Sequence, residues 1–354
     1  MIQYLIRNII FILNLLASLA LFLGWIGSFH YSYQYAFVSI LALVLPVLYI
    51  INIIFLLYWL IFSKHKKNSF ISLIPLLLCC FIFNRFYNLS SKENSTGNIS
   101  VMTYNIKSFT PHYNLYNEDS AQISKKQSFN LIDSIKPDIL CLQEFSERGK
   151  EIRKKFKRYI LNSSLDHKEY RPTMILTNFP IVHHFSIDFE GNYANNVVAD
   201  LKIQEDTIRV FNIHMESLSL MSKYINNIDS EDEAKNAAKN YYRNLNNGFQ
   251  QHQKQIDKIA EEVRRSPHPV ILCGDFNNTP FSYEYNKSVA FLQDSYLIAG
   301  HGIIETYHNI PFPTRIDHIF ASNDFMINSY EVLDHQKISD HYPIKVTLSL
   351  KNNE

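Results

Sequence analysis

The run Ile271 to Pro280, ILCGDFNNTP, decides how this chain is read. Val270, Ile271 and Leu272 form an apolar, strand-favouring lead that reaches Gly274 and then delivers Asp275 and Asn277 at the strand's end. Glycine lets the backbone turn without a Cβ clash, and Pro280 stops any regular element soon after. Two residues apart in extended backbone, Asp275 and Asn277 point to the same side. A carboxylate and an amide aimed together from the rim of a rigid strand suit a site that handles phosphate and water. The same residue types also dominate plain turns, so the rest of the chain must decide.

At 354 residues the chain holds one large domain or two ordinary ones. Its net charge of +1 supplies no global field toward a charged partner, which argues against tight sequence-independent DNA binding through a basic surface. Cys79, Cys80, Cys141 and Cys273 lack metal-ligand spacing and read as free, buried thiols, which decide no compartment.

The longest apolar runs fall in residues 1–89, read as a membrane section with spans at about 9–29, 36–62 and 69–87. Pro46 is a tolerable kink in the second span. The third is short and reaches spanning length only with its flanks. A cleaved signal peptide is disfavoured for the first run, which is too long and is followed at once by another apolar run. Ser63 to Asn68 carries Lys64, Lys66 and Lys67, whereas the loop from His30 to Tyr35 has no Lys or Arg. With three spans this places the N-terminus and the basic loop in the cytoplasm. The remainder then lies outside, in the periplasm if the anchor sits in a bacterial inner membrane; a third segment that only dips would reverse this. Residues 90–100 read as a polar linker to a domain covering 101–354.

Within that domain Val101 to Ile106 is a short strand ending near Asn105. Residues 123–135 have helical spacing, and Pro137 leads into a buried strand, Asp138 to Leu142, with Gln143 and Glu144 at its end. A carboxylate so placed can hold a hard cation or simply be solvated. Thr173 to Thr177 is another strand. Val197 to Ile203 and Thr207 to Ile213 pair around a turn and lead to His214. Residues 218–265 are mostly helical, with an amphipathic face at Ala234, Ala237, Ala238, Tyr241, Tyr242 and Leu245. That face is a surface arm by default, or a lid, or a membrane contact. The basic run Lys150 to Arg158 reads as a solvated helix face. Thr314 to Ala321 is a strand carrying Arg315, Asp317 and His318, with Asp317 turned away from an apolar face toward a cleft. Asp340-His341 precedes the last strand, Ile344 to Leu350, and a His oriented by a carboxylate can donate protons or stabilise charge at neutral pH.

Six polar groups at six strand ends fit a two-sheet sandwich with one active edge. In order, TYNIKSF, ILCLQEF, FNIHMES, ILCGDFNNTP, RIDHIF and SDHYPI resemble the endonuclease/exonuclease/phosphatase family of divalent-metal phosphoesterases, over residues of about 100 to 350. The resemblance implies a four-layer α/β sandwich of two mixed sheets with helices outside. It also implies Mg²⁺ or Mn²⁺ held by Asn105 and Glu144 with Asp340 near, and Asp275 orienting or deprotonating the attacking water. Asn277 would hold a phosphate oxygen, His214 and His341 would contact the scissile phosphate, and Asp317 would fix the His341 ring. Lys107 stands where abasic-site enzymes of the family carry Asp, and no basic run beside aromatics suggests a DNA groove. The implied substrate is a phosphoester of nucleic acid, a lipid head group or a small molecule, with the bilayer as the other partner and no obligate protein partner. A catalytically silent binding module is the rival reading.

Overall fold

The computed structural model describes residues 1–30, 36–89, 95, 97–109, 118–161, 172–189, 195–218, 230–310, 312–333 and 338–351. Two compact units emerge, and they do not follow the sequence boundary at 90–100. One comprises Met1–Tyr87, Leu218–Gln253 and Asn278–Asn286; the other comprises Asn88–Ser217, Lys254–Asn277 and Lys287–Glu354.

In the helical unit, α1 (Ile2–Phe29) and the stretch Lys66–Phe83, mostly α4 (Ser69–Phe83), are long and apolar enough to cross a membrane. Between them α2 (Ala36–Leu43) and α3 (Leu45–Ile61) meet at a 74° bend and make a third crossing if the pair is one span. The break falls at Val44. Pro46 opens α3 instead of kinking a longer helix, because in the first turn its missing N–H costs no helical bond. Buried polar groups tie the helices together. Asn14 Nδ2 donates to Ser72 Oγ (2.6 Å), Trp59 Nε1 to Asn14 Oδ1 (2.8 Å), and Ser18 Oγ to Asn52 Oδ1 (2.7 Å). Such bonds hold helices together where apolar contact alone does not distinguish helix from lipid. Arg7 Nη1 lies 2.7 Å from His65 Nε2, so the start of α1 sits beside the basic loop. Cys80 is exposed, correcting the expectation of four buried thiols.

The sandwich unit holds β1 (Ile99–Asn105), β2 (Ile139–Gln143), β3 (Arg158–Leu161), β4 (Met174–Thr177), β5 (Ile181–Phe185) and β6 (Asn195–Ile203). It continues with β7 (Asp206–His214), β8 (Val270–Asp275), β9 (Gln293–Asp294), β10 (Asp317–Ala321), β11 (Phe325–Val332) and β12 (Ile344–Leu350). They form two six-stranded sheets, ordered β11-β12-β1-β2-β4-β3 and β5-β6-β7-β8-β10-β9. Both are mixed: β1/β2 and β7/β8 run parallel, and their other neighbours run antiparallel. Helix α5 (Glu118–Ile135) packs Phe129, Ile132 and Ile135 on the outer face formed by Met102, Tyr104, Leu140 and Leu142. The four-layer α/β sandwich is the architecture expected from the sequence.

Strands β3, β5, β9 and β11 were not foreseen, and β1 opens inside the expected linker, of which 90–94 and 96 lie outside the described residues. The basic run is not a solvated helix: a 3₁₀ segment, Glu147–Lys155, gives way to β3, and Ile152 is buried. Arg153 there lies over the rings of Phe145 and Tyr159. The long helix α6 (Glu231–Arg264) buries Leu245 and Phe249 with Leu218, Ile40 and Leu43, so this part of its face meets the helical section. Tyr242, expected on that face, is exposed.

Between the sheets the core is built from alternate residues: Ile99 and Val101 of β1, Ile139 and Cys141 of β2, Ile208 and Val210 of β7, Ile271 and Cys273 of β8, and Ile319 and Ala321 of β10. Since side chains alternate in a strand, Asn105, Gln143, His214, Asp275 and Asp317 extend these same rows. The site is therefore the polar end of the core. Asp317 shares the parity of Ile319 and points between the sheets, not away from the apolar face as expected. The strand also begins at Asp317 and not at Thr314.

Arg315 serves the fold. Its Nη1 and Nη2 donate to Asp294 Oδ1 and Oδ2 (3.2 and 2.9 Å), and its guanidinium lies 4.3 Å from the centre of the Tyr296 ring. His318 Nδ1 meets the same guanidinium at 3.1 Å. Arg315→Met leaves a buried carboxylate without its cation and is expected to destabilise the protein by about 3–5 kcal/mol. Denaturant unfolding checks this; a loss below about 1 kcal/mol would contradict a structural role.

Candidate active site

Parallel strands end, and antiparallel strands begin, at the same edge of a sheet. This is why six separated sequence positions meet. In one sheet His214 pairs in register with Asp275, which pairs with Asp317. In the other, Asn105 lies opposite Gln143, and Thr103 opposite Ile344, three residues past His341. Gly274, inside β8, allows the close approach of β7: its φ is +134°, and a Cβ there would lie 1.9 Å from the Ile213 carbonyl oxygen. Beneath the site Gln143 Nε2 donates to Thr103 Oγ1 (2.9 Å) and Asn212 Oδ1 (2.6 Å). This buried layer separates apolar core from site and escaped the sequence reading.

Asp275 is the hub. Its Oδ2 accepts from Asn105 Nδ2 at 2.9 Å and lies 3.6 Å from His341 Nε2 and 3.8 Å from His214 Nε2. Its Oδ1 accepts from the Asn277 amide at 2.8 Å. Asn105 Nδ2 also reaches Glu144 Oε1 at 3.4 Å, and the same oxygen is 3.8 Å from His214 Nε2. His341 Nδ1 donates to Asp317 Oδ2 at 2.9 Å. Asn277 is engaged already, donating Nδ2 to the Met215 carbonyl at 2.8 Å, which leaves its second amide hydrogen for a ligand. Glu144, His214 and Asn277 are half-buried and form the open side; Asn105, Asp275, Asp317 and His341 are buried behind them.

Asp340 sits somewhat apart. Its Oδ2 takes Lys107 Nζ at 2.6 Å and Asn309 Nδ2 at 3.1 Å. Neither partner was singled out from the sequence as part of the site. Tyr307, whose ring lies 4.9 Å from that of His341, was also missed. No motif marks these loop residues. Three residues at the site hold left-handed backbone: Lys107 (φ 44°), Glu144 (φ 49°) and Asn277 (φ 50°). Such conformations are costly outside glycine and persist where surrounding structure dictates them.

Burial works against charge on His341, but Asp317, Asp275 and Asp340 outweigh it and lift its pKa to about 10. Burial likewise raises the Asp317 carboxyl to about 6, opposed by the imidazolium alongside. Asp340 is held below its ordinary value, burial notwithstanding, by His341 and Lys107. At neutral pH the site thus contains an imidazolium bonded to a carboxylate.

The donor chemistry fits a hard divalent cation. Four carboxylates (Glu144, Asp275, Asp317, Asp340) face two cations (His341, Lys107), leaving two negative charges in excess among these groups. A dication balances that excess, and Asn105 with Glu144 offers the oxygen ligands it prefers. Asp275, Asp317 and His341 bring ligand atoms within 4.8 Å of one another, but a protonated His341 offers no lone pair, so this trio is the poorer cation site.

Residues 102–341 match the family described as the Endonuclease/Exonuclease/phosphatase family, and residues 7–86 match a family described only as a domain of unknown function. No curated protein matches the chain significantly. Among solved structures, an endonuclease/exonuclease/phosphatase family protein of Bacteroides thetaiotaomicron is 21% identical with a TM-score of 0.52, covering 74% of this chain and 98% of its own. A mannosyl-6-phosphatase of Bacteroides thetaiotaomicron VPI-5482 is 22% identical with a TM-score of 0.50, over 71% and 99%. D. rerio TDP2 complexed with a single-strand DNA product is 16% identical with a TM-score of 0.50, over 71% and 98%. At these identities the structures speak for the fold. With the family match spanning more than half its length, the chain belongs to the endonuclease/exonuclease/phosphatase family and has its phosphoesterase fold.

Proposed function

We propose that this chain is a membrane-anchored, divalent-metal-dependent phosphoesterase that cleaves its ester by in-line attack of water. The observation that carries this reading is the convergence on Asp275 Oδ2 of an amide and two imidazoles, beside a second carboxylate, at the polar end of the core. Asn105 and Glu144 would hold Mg²⁺ or Mn²⁺, and Asp340 adds negative field nearby. When bound, the cation draws charge from the phosphoryl oxygen and makes water more acidic. Asp275 orients the water and takes its proton. His341, kept cationic by Asp317, and His214 beside it donate to the phosphoryl oxygens as charge builds there, and Asn277 binds a further oxygen.

The anchor is α1 with the apolar helices after it, and the basic loop at Ser63 to Asn68 favours the cytoplasmic side for the N-terminus. The rest of the chain then lies outside the cytoplasm. The substrate is a phosphoester of nucleic acid, a lipid head group or a small molecule. A phosphosugar phosphatase and a DNA-bound enzyme among the similar folds support phosphoester chemistry without choosing between these classes.

The test uses the full chain in detergent micelles with bis-p-nitrophenyl phosphate, p-nitrophenyl phosphate, plasmid DNA and phospholipid as parallel substrates. Chelation should abolish turnover, and Mg²⁺ or Mn²⁺ should restore it. Turnover that survives removal of divalent ions would overturn the metal role.

A further inference from the structure

The residues that follow the catalytic turn are built into the helical unit. Asn278–Asn286, next in the chain after Asn277, belong to the same compact unit as Met1–Tyr87. Phe281 is 3% exposed and packs with Leu21, Leu45, Leu76, Cys79 and Ile82 from three of the apolar helices. Arg85, two residues past the end of α4, donates Nη1 to the Pro280 carbonyl (3.0 Å) and Nη2 to Asn286 Oδ1 (2.8 Å). Its guanidinium also lies 4.7 Å from the centre of the Tyr285 ring. Asn286 Nδ2 in turn donates to the Ser28 carbonyl near the end of α1 at 2.5 Å. Asn278 is gripped within the same unit: its Nδ2 donates to Glu284 Oε2 at 3.1 Å, and Glu284 Oε1 pairs with His252 Nδ1 at 2.9 Å, all three buried.

Asn277 keeps a left-handed backbone that asparagine tolerates better than most residues but that still costs free energy. Upstream it is held by Asp275 Oδ1 and β8. Downstream the chain enters the segment fastened by Arg85. A guanidinium fork holds two acceptors in fixed directions, where a lysine offers a compact charge on a flexible stem.

We propose that Arg85 is a positioning residue: through Pro280 and Asn286 it fixes the segment into which the chain runs directly after Asn277, and with it the backbone of that turn. The activity readout rests on the phosphoesterase reading; the exchange readout does not.

The full chain in lipid nanodiscs, with Arg85→Met, Arg85→Lys and Asn286→Ala, tests this by kinetics and by amide hydrogen exchange. Arg85→Met should lower kcat about tenfold, since small displacements of a reacting group are costly, with KM little changed. Arg85→Lys should recover part of the loss. Peptides covering Phe276 to Ser282 should exchange faster in Arg85→Met, while β7 and β12 keep their protection. Asn286→Ala, which removes one of the two Arg85 bonds together with the bond to Ser28, should show the same local pattern and keeps the test decisive if Arg85→Met fails to fold. Unchanged exchange at 276–282 in the folded variants would overturn the proposal, as would exchange that rises uniformly through both units. If the wild-type chain turns over no phosphoester, the functional reading fails while the exchange pattern still decides the role of Arg85.

Discussion

Asp275→Asn is expected to leave the protein folded and to lower kcat by about 10²-fold or more, the scale on which a general base contributes. The substitution is nearly isosteric, so the consequence lies in charge and hydrogen-bond direction. Asp275 accepts on both oxygens, from Asn105 Nδ2 and from the Asn277 amide. An asparagine can accept on only one. With its oxygen toward the Asn277 amide, its NH₂ would confront the NH₂ of Asn105; the opposite orientation confronts the Asn277 N–H instead. It also withdraws one negative charge from beside His341. Fold stability should move little, because the variant spares a buried carboxylate its desolvation cost while losing these bonds. Kinetics with the chelation control, alongside thermal melting, separates the two effects. Wild-type turnover in a folded Asp275→Asn protein would remove Asp275 from the mechanism.

Much of this site was legible because it continues the core's own alternation. The apolar rows ending in Asn105, Asp275 and His214 can be read along their strands, and the six motifs supply their order. Topology then does what sequence leaves open: β10 and β12 begin at the edge where β1, β2, β7 and β8 end, so Asp317 and His341 join groups far away in the chain. The direction of Asp317 was misread because Ile316 and Phe320 were taken with Ile319 as one apolar face, although parity sets Ile319 beside Asp317. Lys107, Tyr307 and Asn309 were not picked out as site residues because loop positions carry no periodicity, and a lysine's partner is fixed only by the fold. The same holds for the division of the chain. Nothing in 278–286 announces that Phe281 packs with apolar helices at the other end of the chain, Leu21 to Ile82.

His341→Gln is the second substitution with a large expected effect, about 10²- to 10³-fold in kcat, the range found when one transition-state donor is removed. Glutamine keeps a donor of similar reach but no positive charge, so the part of the loss beyond geometry measures the imidazolium. Asp317→Asn tests how that charge is maintained. The raised pKa of His341 means its proton is kept through neutral pH and lost only as pH climbs toward about 10. Among the groups that raise it, the Asp317 carboxylate is the largest, and the 2.9 Å bond to Nδ1 adds to it. Replacing that carboxylate with an amide lets burial act with less opposition, so the proton leaves at lower pH. The alkaline limb of kcat/KM should therefore move toward acid in Asp317→Asn, and it should be absent in His341→Gln, whose side chain does not titrate. An alkaline limb at the same pH in wild type and Asp317→Asn would show that another group sets it. In that case His341 would act by position alone, and the carboxylate behind it would serve only to hold the ring.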